Sequence, residues 1–178
     1  MKSRRTLGKE EIKKLTIRNA IILILKIFVI LAMFFLIFTM IFGIIRVRSD
    51  VMAPSIRDGD LLIYYRIDRD YKAGEVVVCE INNKKYILRI AGVPGDYIEI
   101  DKEEGKLLVN STPEEHISYY STVKDDNKKI KYPYRVGKNE YFLINDYRTF
   151  TDDSRKFGSV SEDKILGKVI GKLQTRNI

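Results

Sequence analysis

The chain has 178 residues, 31% charged and 45% hydrophobic, with one Cys, one His and no Trp. That balance excludes collagen-like, disordered and disulfide-stapled classes, and the length allows one ordinary domain and little else. The net charge of +8 is unevenly placed: residues 1–46 hold nine basic and two acidic side chains, a net +7, and the rest hold 23 and 22, a net +1.

Residues 1–19 read as a basic tail, with Lys2, Arg4, Arg5, Lys9, Lys13, Lys14 and Arg18 against Glu10 and Glu11. Residues 20–46 read as a transmembrane anchor. From Ile27 to Ile45 run nineteen residues in which Thr39 is the one polar side chain, about 28 Å of helix at 1.5 Å per residue. That nearly matches a hydrocarbon core of about 30 Å, and Lys26 can snorkel its ammonium to the headgroups. A cleaved signal needs a shorter apolar run before a small-residue site. Val51-Met52-Ala53 offers such a site, but Pro54 follows it, a poor context for cleavage. A buried core helix is excluded because no other segment is large enough to surround it.

Positive loops stay cytoplasmic, so the tail is expected inside and residues 47–178 outside, in a single-pass plasma-membrane protein. The basic excess then reads as a topology signal and a contact with anionic lipid, which removes it as a sign of a nucleic-acid partner.

The exported part reads as β-rich. After the Gly59-Asp60 turn, LLIYYRI is a strand; EVVVCEI and KKYILRIAGV flank Asn82-Asn83 as a hairpin,. YIEI, KLLVN, YFLIN and ILGKVIGKL follow, with turn signals between them. Seven such runs predict a barrel or sandwich. Residues 101–139 are more polar and form a variable loop region, with VKDDNKKIKYP its loop core,.

A single cysteine, Cys79, allows no intramolecular disulfide, so the domain must be held by its core. One Cys and one His, His116, cannot make a zinc site of the usual kind. His116 lies in the polar stretch TPEEHISYY and reads as a solvated loop side chain. No metal and no small-molecule cofactor is expected.

Three segments resemble, in order, the boxes of type I signal peptidases. Ser49-Asp50-Val51-Met52-Ala53-Pro54-Ser55-Ile56 resembles the box after the anchor, in which a nucleophilic serine precedes Met-x-Pro-Thr/Ser. Leu88-Arg89-Ile90-Ala91-Gly92-Val93-Pro94-Gly95-Asp96 resembles Lys-Arg-x-x-Gly-x-Pro-Gly-Asp. Asn145-Asp146-Tyr147-Arg148-Thr149-Phe150-Thr151-Asp152-Asp153-Ser154-Arg155, with Phe157, Gly158 and Val160, resembles Gly-Asp-Asn-Arg-x-x-Ser-x-Asp-Ser-Arg-x-Phe-Gly-x-Val. The resemblance implies a mainly β fold, the bent open β-sheet, barrel-like signal peptidase domain behind one N-terminal transmembrane helix.

The family's serine is activated by a lysine kept neutral by burial. Here those positions are Val51 and Leu88, neither of which can act as nucleophile or base. Lys84 shares the strand face of Leu88 but lies about 13 Å away along the strand. Ser49 matches a position whose hydroxyl contributes to the oxyanion hole in some members, and Ser55 the hydroxyl after proline; neither has a base in view. The resemblance makes Arg89, Asp146, Arg148, Asp153, Ser154 and Arg155 a structural carboxylate-guanidinium network, with Thr151 where a hydroxyl would bond the lysine.

A pattern without the dyad is similar to the signal-peptidase-like proteins of Gram-positive pilus assembly. That implies a catalytically inactive accessory or chaperone for sortase-linked pili, with a pilin or a sortase as partner. Val51, Met52, Pro54, Ile87 and Leu88 are then candidates for an apolar groove that takes an extended peptide. The alternative is an active type I signal peptidase that cleaves exported preproteins through Ser49 or Ser55. A third reading is a purely structural membrane-anchored β domain.

Overall fold

The structure is a computed structural model, described for residues 8–101, 103–114, 120–123 and 130–174. His116, the first seven residues of the basic tail and residues 124–129 of the polar loop lie outside the described residues. The chain divides into two compact units, Met1–Met40 and Ile41–Ile178.

The first unit is dominated by helix α1, Lys9–Ile41. Its length of 33 residues corresponds to about 50 Å, and it is long and apolar enough to cross a membrane. Its large apolar side chains from Ile21 to Met40 are exposed.

The second unit is antiparallel throughout. Its strands are β1 Phe42–Arg46, β2 Leu61–Tyr65, β3 Val76–Ile81, β4 Lys84–Gly92, β5 Tyr97–Ile100 and β6 Leu107–Val109. There follow β7 Thr112–Pro113, β8 Tyr134–Arg135, β9 Glu140–Ile144, β10 Val160–Ser161 and β11 Ile165–Leu173. One sheet has seven strands in the order β1-β2-β11-β3-β4-β9-β10, and a second has four in the order β7-β6-β5-β8. A short helix, α2 Ser154–Phe157, and a 3-10 turn, Glu162–Lys164, precede the last strand. The mainly β reading of the sequence is borne out.

The helix does not run through the whole apolar segment. Phe42–Arg46 leaves it as strand β1, paired with β2 from Phe42↔Tyr65 to Arg46↔Leu61, and the Arg66 amide caps the turn by donating to the Ile41 carbonyl at 2.9 Å. The 20–46 span is therefore helical only to Ile41. Gly43 permits this pairing, because a Cβ there would lie 2.1 Å from the ring of Tyr64, which is buried.

Local chemistry sets the turns that align the site. Asn82 and Asn83 take φ of 50° and 61°, the left-handed pair of a type I′ turn, which locks the β3-β4 register at Ile81↔Lys84,. Asn110 and Ser111, at φ 52° and 65°, do the same for β6 and β7.

The period of two along β4 divides the core. Leu88 and Ile90 face a cluster with Tyr71, Val77, Cys79, Tyr141 and Leu143. Ala91 joins a second with Ile98, Phe142 and Ile144. Ile87 and Val76 pack on a third, formed by Val47, Met52, Ile56 and Leu62.

Candidate functional site

The segment after β1 closes on itself through its own carboxylates. Asp50 Oδ1 accepts from the Asp58 amide at 2.9 Å and Asp60 Oδ2 from the Arg57 amide at 3.0 Å. The Asp50 carbonyl accepts from the Ala53 amide at 2.9 Å, and the Val47 amide donates to the Asp60 carbonyl at 2.8 Å. This loop drives Met52 and Ile56 into the third cluster, where both are buried, and leaves Val51 half-buried and Pro54 exposed.

The loop is then pinned to the segment after β9. The Tyr147 amide donates to the Val51 carbonyl at 2.9 Å, and the Asp146 amide meets Met52 Sδ at 3.5 Å. Arg89 completes the contact. Its Nε and Nη2 fork onto Asp146 at 2.7 and 2.6 Å, Nη1 donates to the Gly74 carbonyl at 2.7 Å, and Nη2 lies 3.5 Å from Ser55 Oγ.

Leu88 is 1% exposed, and every member of its cluster is apolar, aromatic or the Cys79 thiol. Burial pushes that thiol up to about 12, a measure of how strongly this pocket rejects charge. Val51, Ile87 and Val76 each pack against the third cluster, whereas Leu88 belongs to the first. Met52 and Leu88 are interior side chains, and Leu88 turns away because consecutive residues of a strand point to opposite faces. Val51, Pro54 and Ile87 remain accessible.

The third box folds as a clamp. Asp153, wholly buried, caps α2 and accepts from the amides of Asn145 and Arg155, both at 3.0 Å. Arg155 returns a fork to it, Nε to Oδ1 at 2.9 Å and Nη2 to Oδ2 at 2.6 Å. The rest of the guanidinium donates to the carbonyls of Val123 at 2.9 Å, Arg148 at 2.5 Å and Phe150. Ser154 Oγ accepts from the Leu143 amide at 2.9 Å. Thr151 is half-buried, and its carbonyl accepts from the Asp153 amide at 2.8 Å.

Arg148 pairs with Glu114 at 2.6 Å rather than with a carboxylate of its own box. Arg148 is 0% exposed, and its Nε and Nη1, like Glu114 Oε1, have no hydrogen-bond partner among the described residues. Glu114 carries no signal in the sequence, since the two adjacent acids of TPEEH form no pattern. The backbone acceptors at Gly74, Val123 and Phe150 are equally invisible there, because any residue supplies a carbonyl.

Val51 and Leu88, at the two dyad positions, are hydrocarbon side chains that carry no proton to transfer. Ser49 is exposed. The Ser55 hydroxyl faces Arg89, a permanent cation that cannot accept a proton. Lys84 is held at the surface, 3.0 Å from Asp152 and over the Tyr86 ring at 4.6 Å, and its bond to Asp152 raises its pKa. Among the described residues, no group of three or more His, Cys, Asp or Glu is placed to hold a metal.

The family model described as signal peptidase, peptidase S26, matches residues 20–173. Signal peptidase IB of Staphylococcus aureus is 30% identical over 140 residues, covering 69% of this chain and 73% of its own length. Signal peptidase I P of Bacillus subtilis subsp. natto is 30% identical over 178 residues, covering 89% and 90%. A crystal structure of a signal peptidase I from Enterococcus faecalis aligns with a TM-score of 0.45 at 20% identity, over 57% of this chain and 97% of that one.

Proposed function

The chain belongs to the signal peptidase family, peptidase S26, and from that premise we propose that it is a non-hydrolytic member, a membrane-anchored protein that holds an extended peptide segment of a partner. One observation carries the reading. The position that needs an amine is Leu88, sealed in an apolar cluster, and the position that needs a hydroxyl is Val51. In subtilisin, a different serine protease, loss of the nucleophile or the base lowers the rate about a million-fold, which sets the scale of what the two replacements remove.

What remains suits binding. Val51, Pro54 and Ile87 give an accessible apolar lining, and the Arg89-Asp146 pair fixes the loop that carries Val51. Helix α1 serves as the anchor, with the basic tail inside and the β domain outside. The partner class is a pilin or a sortase, and the role is that of an accessory factor in assembling sortase-linked pili.

The test is preprotein cleavage by the full-length protein in detergent, beside a competent signal peptidase and the Val51→Ser/Leu88→Lys variant. No cleavage by the wild type, together with co-purification of pilin or sortase that Val51→Arg abolishes, is the expected result. Cleavage lost in Ser49→Ala or Ser55→Ala would overturn it in favour of an active peptidase.

A further inference from the structure

Strands β1, β2 and β11 are neighbours in the seven-stranded sheet, and one face of them is apolar and exposed. Directly opposed residues of an antiparallel pair share a face, so the register sets Ile44, Ile63 and Gly171 in one row and Arg46, Leu61 and Leu173 in the next. Ile45, Leu62 and Val169 belong to the opposite face, in or against the third cluster. Ile44 is 65% exposed and Leu173 57% exposed, with Leu61 and Ile63 half-buried. None of these four belongs to a core cluster.

The face begins where the helix ends. Ile41 closes α1 and Phe42 opens β1, so Ile44, three residues on, lies within about 10 Å of the helix end at about 3.3 Å per residue. The apolar part of the helix, Ala20–Ile41, has Lys26 as its one charged side chain and measures about 33 Å. A hydrocarbon core is about 30 Å thick, so a helix of that length ends at the outer boundary and delivers β1 into the headgroup layer. The chemistry of the strands suits that layer. β1, β2 and β11 contain no Asp or Glu, and Arg46 stands exposed on the apolar face, where a phosphate complements it. Beside Ile44 the rings of Phe42 and Tyr65 lie 5.5 Å apart, and tyrosine favours the membrane interface, which takes its ring and keeps its hydroxyl wet.

We propose that the exposed face of β1, β2 and β11 rests on the outer leaflet of the bilayer, with Ile44, Leu61, Ile63 and Leu173 at the boundary between headgroups and acyl chains. The inference rests on the membrane-anchored reading above and adds a second lipid contact to it. The backbone limits the depth. β1 is an edge strand, and an open sheet edge is not tolerated in hydrocarbon, where its unpaired amides and carbonyls would lose their water. The side chains therefore dip into the acyl boundary and the strand itself stays at headgroup level. Such a contact fixes which side of the β domain faces the membrane, which a single tether alone does not.

The chain has no Trp, so single tryptophans report lipid contact without background. Ile44→Trp, Leu173→Trp, Phe34→Trp in the helix and Tyr97→Trp on β5 of the second sheet are reconstituted at full length in nanodiscs of phosphatidylcholine and phosphatidylglycerol, with and without bromine on the acyl chains. Bromolipid is expected to quench Ile44→Trp, Leu173→Trp and Phe34→Trp and to leave Tyr97→Trp bright. All four positions are exposed, so the variants keep the fold, which the urea midpoint checks. Bright Ile44→Trp and Leu173→Trp beside a quenched Phe34→Trp would overturn the contact and leave the anchor standing. A bright Phe34→Trp would overturn the anchor and the contact with it. Emission from Ile44→Trp that is blue-shifted yet indifferent to bromolipid would show that protein covers the face, and equal quenching of Tyr97→Trp would show that no one face is preferred; either result also overturns the proposal.

Discussion

Leu88→Lys restores the family's base in isolation and measures the environment of that position. At pH 7 an unfolded lysine with a pKa of about 10.4 is charged, and giving up its proton costs about 4.6 kcal/mol at about 1.36 kcal/mol per unit. The cluster around Leu88, aliphatic and aromatic with the Cys79 thiol, holds no carboxylate, so the folded state holds the amine neutral, and an unsatisfied amine adds about 1–3 kcal/mol. The lysine stem replaces most of the leucine volume, so little cavity term follows. The total of roughly 6–8 kcal/mol falls within the whole stability of an ordinary domain, about 5–15 kcal/mol. The sign of the pH dependence is fixed by the folded pKa lying below the unfolded one. The penalty is greatest below the folded value and shrinks by about 1.36 kcal/mol per unit as pH rises toward 10.4, so about 2.7 kcal/mol returns between pH 7 and pH 9. The assay is urea unfolding of variant and wild type in detergent at both pH values, followed by tyrosine circular dichroism, since the chain has 11 Tyr and no Trp. A variant within about 1 kcal/mol of wild type at pH 7, with the same pH slope, would show that the amine reaches water or a carboxylate and would refute the argument.

Asp153→Asn strands the buried Arg155 guanidinium, and breaking such a pair costs about 3–5 kcal/mol; a matching fall in the urea midpoint is expected, and an unchanged midpoint would contradict the clamp. The Cys79 thiol, pushed up to about 12 by burial, should resist iodoacetamide at pH 8 until urea unfolds the domain. The bond to Lys168, 2.9 Å away, holds the Asp68 carboxyl below its ordinary value of 3.8. Its contribution is fully present above 3.8 and is lost as pH falls through the lower folded value, and Lys168→Met should flatten that part of the acid-unfolding curve.

The long strands could be read from the sequence because their chemistry is local. ILGKVIGKL coincides with β11, and the run around Asn82-Asn83 folds as the expected hairpin. The two-residue strands β7, β8 and β10 are too short to show alternation, and their pairing is set by neighbours distant in sequence. β1 was hidden for a different reason. Hydropathy counts apolar side chains without regard to backbone shape, so FGII extends the helical signal although Gly43 and the Tyr64 ring place it in a sheet. At the site, the box residues were visible through their register. The split of Ile87 from Leu88 needed only the period of two, but the burial of Met52 required knowing which way the loop after β1 turns.

Because β1 begins at the residue after the helix ends, anchoring and folding share one stretch of chain. A protease cutting after Ala53 would carry off the outermost strand of the seven-stranded sheet together with Val51 and Met52, and would leave β2 as a bare edge able to recruit another chain. The domain therefore cannot be shed intact from its anchor at that point, and a soluble version has to retain everything from Phe42 onward.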